Sequence, residues 1–330
     1  MKTHIRSVRV DVRLRACVVA IALGGLVVPH LARAQVVTST DNPLQVAILH
    51  WDGADVDKQL STGTSPLGLA FDGAAMWIAN SGSGTVTKLR ASDGALLGTF
   101  TVGTGPSALA YDGANMWVAN TGSNTVTELR GSTGAVLGTF AVGRQPQAVL
   151  FDGAQIWVAN TGSNTVTALE ASTGAVNHTI AVGSEPLGLA FDGTSVWVTN
   201  NGSNNVTKLL AANGSVFGTF AVGTEPAGIA FDGTRMWVVN AGSDTVTELT
   251  SVGSTLGTFA VGHAPLGVAF DGANIWVANQ VDNTVTKLSV SNGNNLGTFA
   301  LPTGSGPRYV AFDGADIWVT QIGNNKVSKL

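Results

Sequence analysis

The sequence predicts an all-β fold: a seven-bladed β-propeller of four-stranded antiparallel blades, with the ring closed by an N-terminal strand. Three observations carry the prediction. A Phe/Tyr-Asp-Gly tripeptide recurs at Phe71, Tyr111, Phe151, Phe191, Phe231, Phe270 and Phe312, at spacings of 40, 40, 40, 40, 39 and 42 residues. A tryptophan stands six residues after each of those aromatics, from Trp77 to Trp318. A proline stands five residues before each, from Pro66 to Pro307.

Within one repeat, four segments read as strands: 67–71, 76–80, 85–89 and 97–102 in the first copy. They are short, rich in Val, Thr, Phe and Trp, and bounded by Gly, Asn, Asp and Ser. Asp72-Gly73 closes the first hairpin, because glycine takes a positive φ without steric cost. Ser81-Gly82-Ser83-Gly84 closes the second and Ser92-Asp93-Gly94 the third. Gly and Pro interrupt the unit too often for a helical apolar period to persist. After each proline the second and fourth residues are mostly small, as in Gly68 and Ala70, and the third is large, as in Leu69. One face of the innermost strand is therefore flat, and it is expected to receive a bulky group, the tryptophan, from the next blade. Leu150 and Tyr309 break this rule.

Trp197-Val198-Thr199-Asn200, followed by Asn204-Asn205-Val206-Thr207, resembles the YVTN-type propeller repeat with Trp in place of the first Tyr. The resemblance spans residues 56–330. It implies the propeller fold and a place among surface-layer proteins, binding proteins and some lyases. Streptogramin-lyase-like propellers, the enzymes nearest in style, rely on histidine and an acidic metal site. His263 with Glu225 one blade away falls short of that pattern.

The ends of the chain complement each other. Residues 57–62 align with the fourth strand of a repeat, and the seventh repeat stops after its third strand at the C-terminus. Pairing these two pieces removes the exposed edge of an open array. Before the propeller, residues 1–34 read as a secretory signal peptide. Lys2, Arg6, Arg9, Arg13 and Arg15 form a basic start, 16–28 is apolar, and Ala32-Arg33-Ala34 offers a cleavage site. Residues 35–55 form an N-terminal leader between it and the propeller. The protein is expected to be exported to the periplasm, cell surface or exterior. The single cysteine, Cys17, lies in the signal segment, so no disulfide or thiol chemistry is expected after cleavage. Cleavage removes six of the 17 Lys+Arg and one of the 21 Asp+Glu, leaving 11 and 20 and a formal charge of −9. That balance argues against nucleic acid as a partner.

Strands alternate in direction, so each end of the ring collects one kind of connection. One end carries the seven Asp-Gly turns and the turns from third to fourth strand. Its carboxylates, Asp72 to Asp313, are expected to serve the turns rather than a metal. The other end carries the turns from second to third strand and the links between blades. The asparagines at its second-strand ends, Asn80 to Asn279 with Gln321 in the last copy, are expected to satisfy backbone groups rather than ring a polar mouth.

Among the link residues the repeat breaks. Arg144, Glu185, Glu225 and His263 stand on links, and Arg308-Tyr309 replace Leu-Gly on an innermost strand. Identical blades would give a sevenfold mouth, and most small ligands lack that symmetry. These six residues are therefore the candidate ligand-binding set. No catalytic residue or cofactor is expected: histidines are few and far apart, and no Gly-x-Ser-x-Gly sits in a strand-to-helix context. A calcium ion on carbonyls and carboxylates at one mouth stays open. The function expected is a monomeric, exported binding or structural module for a protein, glycan or small molecule. The alternative is a propeller lyase or lactonase with its site at the link mouth.

Overall fold

A computed structural model describes residues 58–330. The expected signal peptide and leader lie outside the described residues. The described strands number 28, in seven four-stranded antiparallel sheets, with two three-residue 3-10 turns and no α-helix among the described residues. Among the described residues no helix is long and apolar enough to cross a membrane.

In blade 1 the strands run Pro66–Phe71, Ala75–Asn80, Thr85–Arg90 and Leu96–Thr101, within one residue of the expected bounds. The second strand is buried on both faces, and the outermost strand alternates exposed and half-buried residues. That gradient is what a blade wedged between two neighbours must show. The seventh blade closes as expected. Lys58–Ser61 pairs antiparallel with Lys326–Lys329, with Leu60 opposite Val327. Asn325 fastens the joint: its side-chain oxygen accepts the Ser65 amide at 2.8 Å.

The core consists of seven clusters, each lying between two blades. In one of them Trp77, Ala79 and Val86 of blade 1 meet Leu109, Met116, Val118 and Leu129 of blade 2. Here one expectation is corrected. The flat face does not receive the next blade's tryptophan. A Cβ on Gly68 would come within 2.6 Å of Ala108 Cα and the Ser107 carbonyl oxygen, so the bare glycine admits the next innermost strand itself. Ala70 faces Trp77 of its own blade across the hairpin. The innermost strands converge near the ring axis, where neighbouring backbones are closest and side chains have least room. Trp77 instead lies further out, stacked on Phe100 of its own blade at 5.5 Å between centroids.

Candidate functional site

At the Asp-Gly end the seven carboxylates are consumed by the fold. Asp72 Oδ1 accepts the amides of Ala74 and Ala75 at 2.9 and 2.7 Å, which holds the turn. Its Oδ2 accepts the Trp77 indole N–H at 2.7 Å. The Asp–Trp bond recurs in all seven blades, at 2.7–2.8 Å. Each buried indole thus finds its acceptor five residues back along the chain, across the hairpin. Burial pushes the Asp192 carboxyl up, but bonds from Trp197, Thr194 and two backbone amides outweigh it and hold the pKa at about 2. Among the described residues no group of three His, Cys, Asp or Glu side chains is placed to hold a metal.

At the link end the asparagines are buried and do not ring a mouth, but the expectation that they serve backbone groups is corrected: their amides go to side-chain oxygens of the neighbouring third strand. Asn80 Nδ2 donates to Thr85 and Thr87 Oγ1 at 3.2 and 2.9 Å, and its Oδ1 accepts the Gly63 amide at 3.1 Å. In blades 2 to 5 the corresponding oxygen is buried without a partner, directly beneath a link glycine. Gln321 keeps the pattern in blade 7, donating to Ser328.

A second set of Asx side chains sews blade to blade. Asn124, Asn164 and Asn204 sit at left-handed φ of 56–58°, and each accepts the amide of the link residue opposite: Gln145, Glu185 or Glu225, at 2.8–2.9 Å. Those three link residues also hold left-handed φ, 52–54°, where the chain uses Gly105 and Gly306 in two other links. The sewing bonds fix the strained link backbone and leave its side chains outside.

The six candidate residues fall into three places. Arg308 and Tyr309 line a central cavity of about 170 Å³ between the innermost strands, nearer the link end. Arg144 borders a separate shallow depression with Thr121, Gly122, Asn124 and Gln145. Glu185, Glu225 and His263 line neither. The two glutamates lie against Gly202 and Gly242 of their own blades' turns. His263 Nδ1 is 2.9 Å from Asp282 Oδ1, and its imidazole pKa is raised by that hydrogen bond and charge, with a further contribution from Asp244. Sequence reasoning missed Gln147, which lines the cavity one residue after its proline, where Leu67, Leu187 and Leu266 stand in other blades. The polar break at that register position was the available signal.

A family model described as outer membrane protein assembly factor BamB, PQQ_2, matches residues 82–298. The chain belongs to that family. Solved structures share the ring. Virginiamycin B lyase from Staphylococcus aureus superposes with a TM-score of 0.72 at 19% identity, covering 82% of this chain and 97% of that one. Hydrazine synthase from Kuenenia stuttgartiensis gives 0.72 at 18%, over 82% and 96%. A streptogramin B lyase gives 0.72 at 17%, over the same shares. At these identities the likeness is one of fold, and activity has to be argued from the site. No curated protein matches the sequence.

Proposed function

We propose that the protein is an exported binding module of YVTN-type repeat that docks a protein partner on its link end. The observation that carries this is an arc of carboxylates on successive blades. Glu185, Glu225, Asp244 and Asp282 stand at the links and turns of blades 4 to 6, with Glu185 and Glu225 exposed on strained backbone. The Asp-Gly carboxylates of the other end are spent on tryptophans; here Glu185 and Glu225 are left to solvent, while Asp244 and Asp282 also accept the Ala264 and His263 amides. An arc of one sign speeds and orients the approach of a basic surface, and salt weakens it. Membership of a family described by an outer-membrane assembly factor supports a protein as the partner and the cell envelope as the place.

The test is photo-crosslinking in the native host from single sites. Probes at Glu185 and Glu225 should trap one discrete basic partner, less so at high salt. Probes on the exposed apolar residues Val136 and Leu296 of the outer rim should not. A partner trapped from the rim alone would end this reading.

A lyase reading has one observation in its favour. His263 and Asp282 form a hydrogen-bonded imidazole–carboxylate pair on the same end, an arrangement able to move a proton. The imidazole is 71% exposed and lies outside the cavity lining, so substrate would have to cover it. Loss of lyase activity on virginiamycin B in His263→Ala, after its detection in the parent, is the result that would favour this second reading.

A further inference from the structure

The central cavity differs from the rest of the ring in chemistry. Its wall is backbone and aliphatic side chains, including Leu69, Leu109, Val149 and Leu189. Three side chains break that wall. Arg308 stands where Leu67, Leu187 and Leu266 stand in blades 1, 4 and 6, and Tyr309 where those blades carry glycine. Gln147 comes from blade 3.

None of the three side chains has a hydrogen-bond or ion-pair partner among the described residues. That separates them from the other polar side chain at this register, Ser107, which donates to the Pro146 carbonyl at 3.1 Å and so serves the fold. Arg308 and Tyr309 are half-buried, and the Arg308 charge is near enough to the Tyr309 phenol to oppose the upward push of burial on its pKa. None of their polar atoms is among those both buried and unpaired, so water reaches them, and their donors are free to meet a ligand that enters.

Resting on the reading of the link end as the binding end, we propose that this cavity binds a small monocarboxylate with a short aliphatic tail, the carboxylate on Arg308 and Tyr309 and the tail on the leucine and valine wall. Guanidinium pairs a carboxylate through two parallel bonds, and the phenol supplies a third donor. A single positive charge matches a single negative one. A dianion such as phosphate would keep an uncompensated charge against apolar walls. The aliphatic wall is one side chain deep on each innermost strand, which suits a small acid with a short tail. Such a carboxylate is either a free acid or the C-terminal residue of a peptide.

The test uses butyrate, inorganic phosphate and a short peptide ending in a free valine, with the peptide amide as control, on the full chain. Calorimetry should give butyrate a Kd of about 1 mM or tighter, consistent with its few heavy atoms, and butyrate should raise the melting temperature by mass action. Phosphate should bind at least tenfold more weakly. Arg308→Leu should weaken butyrate at least tenfold and leave circular dichroism unchanged, since leucine occupies that position in three other blades. Tyr309→Gly should weaken it about threefold, the loss of one donor among three. Tighter binding of the acid peptide than of butyrate or the amide supports the proposal with a chain terminus as source; tighter binding of butyrate supports it with a free acid. Equal butyrate binding by the parent and Arg308→Leu, stronger binding of phosphate than of butyrate, or no binding of butyrate overturns the proposal. Crosslinking from Glu185 does not depend on Arg308, so failure here and failure of the docking reading are told apart.

Discussion

Blades 1 and 2 share the same tryptophan, the same Asp-Gly turn and the same threonine ladder, and they carry opposite charges at one position of the third strand. In blade 1 that residue is Lys88. Its ammonium lies 3.0 Å from Asp72, 4.5 Å from the centre of the Trp77 ring, and donates to the Gly131 carbonyl of blade 2 at 2.8 Å. In blade 2 it is Glu128, whose partner is the Asn115 amide at 2.8 Å. Burial and the nearby Asp112 push its carboxyl pKa up. The same ring thus contains a seam stitched by a cation and a seam where two carboxylates face each other. Lys208 and Lys329 repeat the stitch to Ser251 and Ala91. Blade 5 carries Glu248 instead and answers it with Arg235. Blade 3 has Ala168, and Gln155 reaches the next blade's Ala211 carbonyl at 3.2 Å. The Asp–Trp bond sustains every blade, whereas the stitch is a local addition that the fold tolerates losing.

The comparison breaks first if the shared part is removed. Trp77→Ala and Trp117→Ala should each destabilise by about 3–5 kcal/mol, because both side chains are fully buried. Urea unfolding that gives one blade a much smaller loss would show that the blades do not share one support. Next is the stitch. Lys88→Ala should cost about 2 kcal/mol, as it leaves Asp72 and the Gly131 carbonyl each short of a partner, both largely buried. Glu128→Ala should be neutral or mildly stabilising, and a loss as large as that of Lys88→Ala would contradict the account of the seam.

Glu128→Lys is the sharper change. It should rebuild the stitch to Asp112 and Trp117 and stabilise by about 1 kcal/mol, read as a higher melting temperature. The smallest effect is in the pH profile. A carboxyl whose folded pKa is raised binds its proton more tightly when folded, so stability falls as pH rises from 4.5 through the raised folded value. Glu128→Gln should flatten that slope. Asp192 acts in the other direction. Its folded pKa of about 2 lies below its ordinary 3.8, so its contribution is present above 3.8 and is lost as pH falls through about 2. Asp192→Asn should remove that acid-side slope.

Much of the scaffold was legible. Tandem Trp, Pro and Asp-Gly registers marked every blade, strand bounds fell within one residue in blade 1, and the spare strand at 57–62 announced its partner at the C-terminus. The aspartates read correctly as turn residues, although the indole as the partner of each was not foreseen, whereas the asparagines, expected to satisfy backbone groups, donate to side-chain oxygens, and Asn80 and Asn279 alone among them accept a backbone amide. The candidate site was legible only as a set of departures from the repeat. Arg144, Glu185, Glu225, His263, Arg308 and Tyr309 stood out together, and the structure divides them between the rim and the cavity. A residue on a link and a residue two positions further on can face different surroundings, because the chain turns from the rim into the channel at the proline.

The sequence by itself determined the number of blades, the order of strands and the place of closure. These depend on local propensity and on period, which are written along the chain. Tertiary structure decided which groups meet across blades: that Gly68 admits a neighbouring backbone rather than a tryptophan, that Lys88 reaches a carbonyl 43 residues away, and that Arg308 and Gln147, from blades 7 and 3, line one cavity. The reason is geometric. Closing the sheets into a ring converts a fixed separation of about one repeat into contact at the seams, and it converts separations of several repeats into approach across the axis.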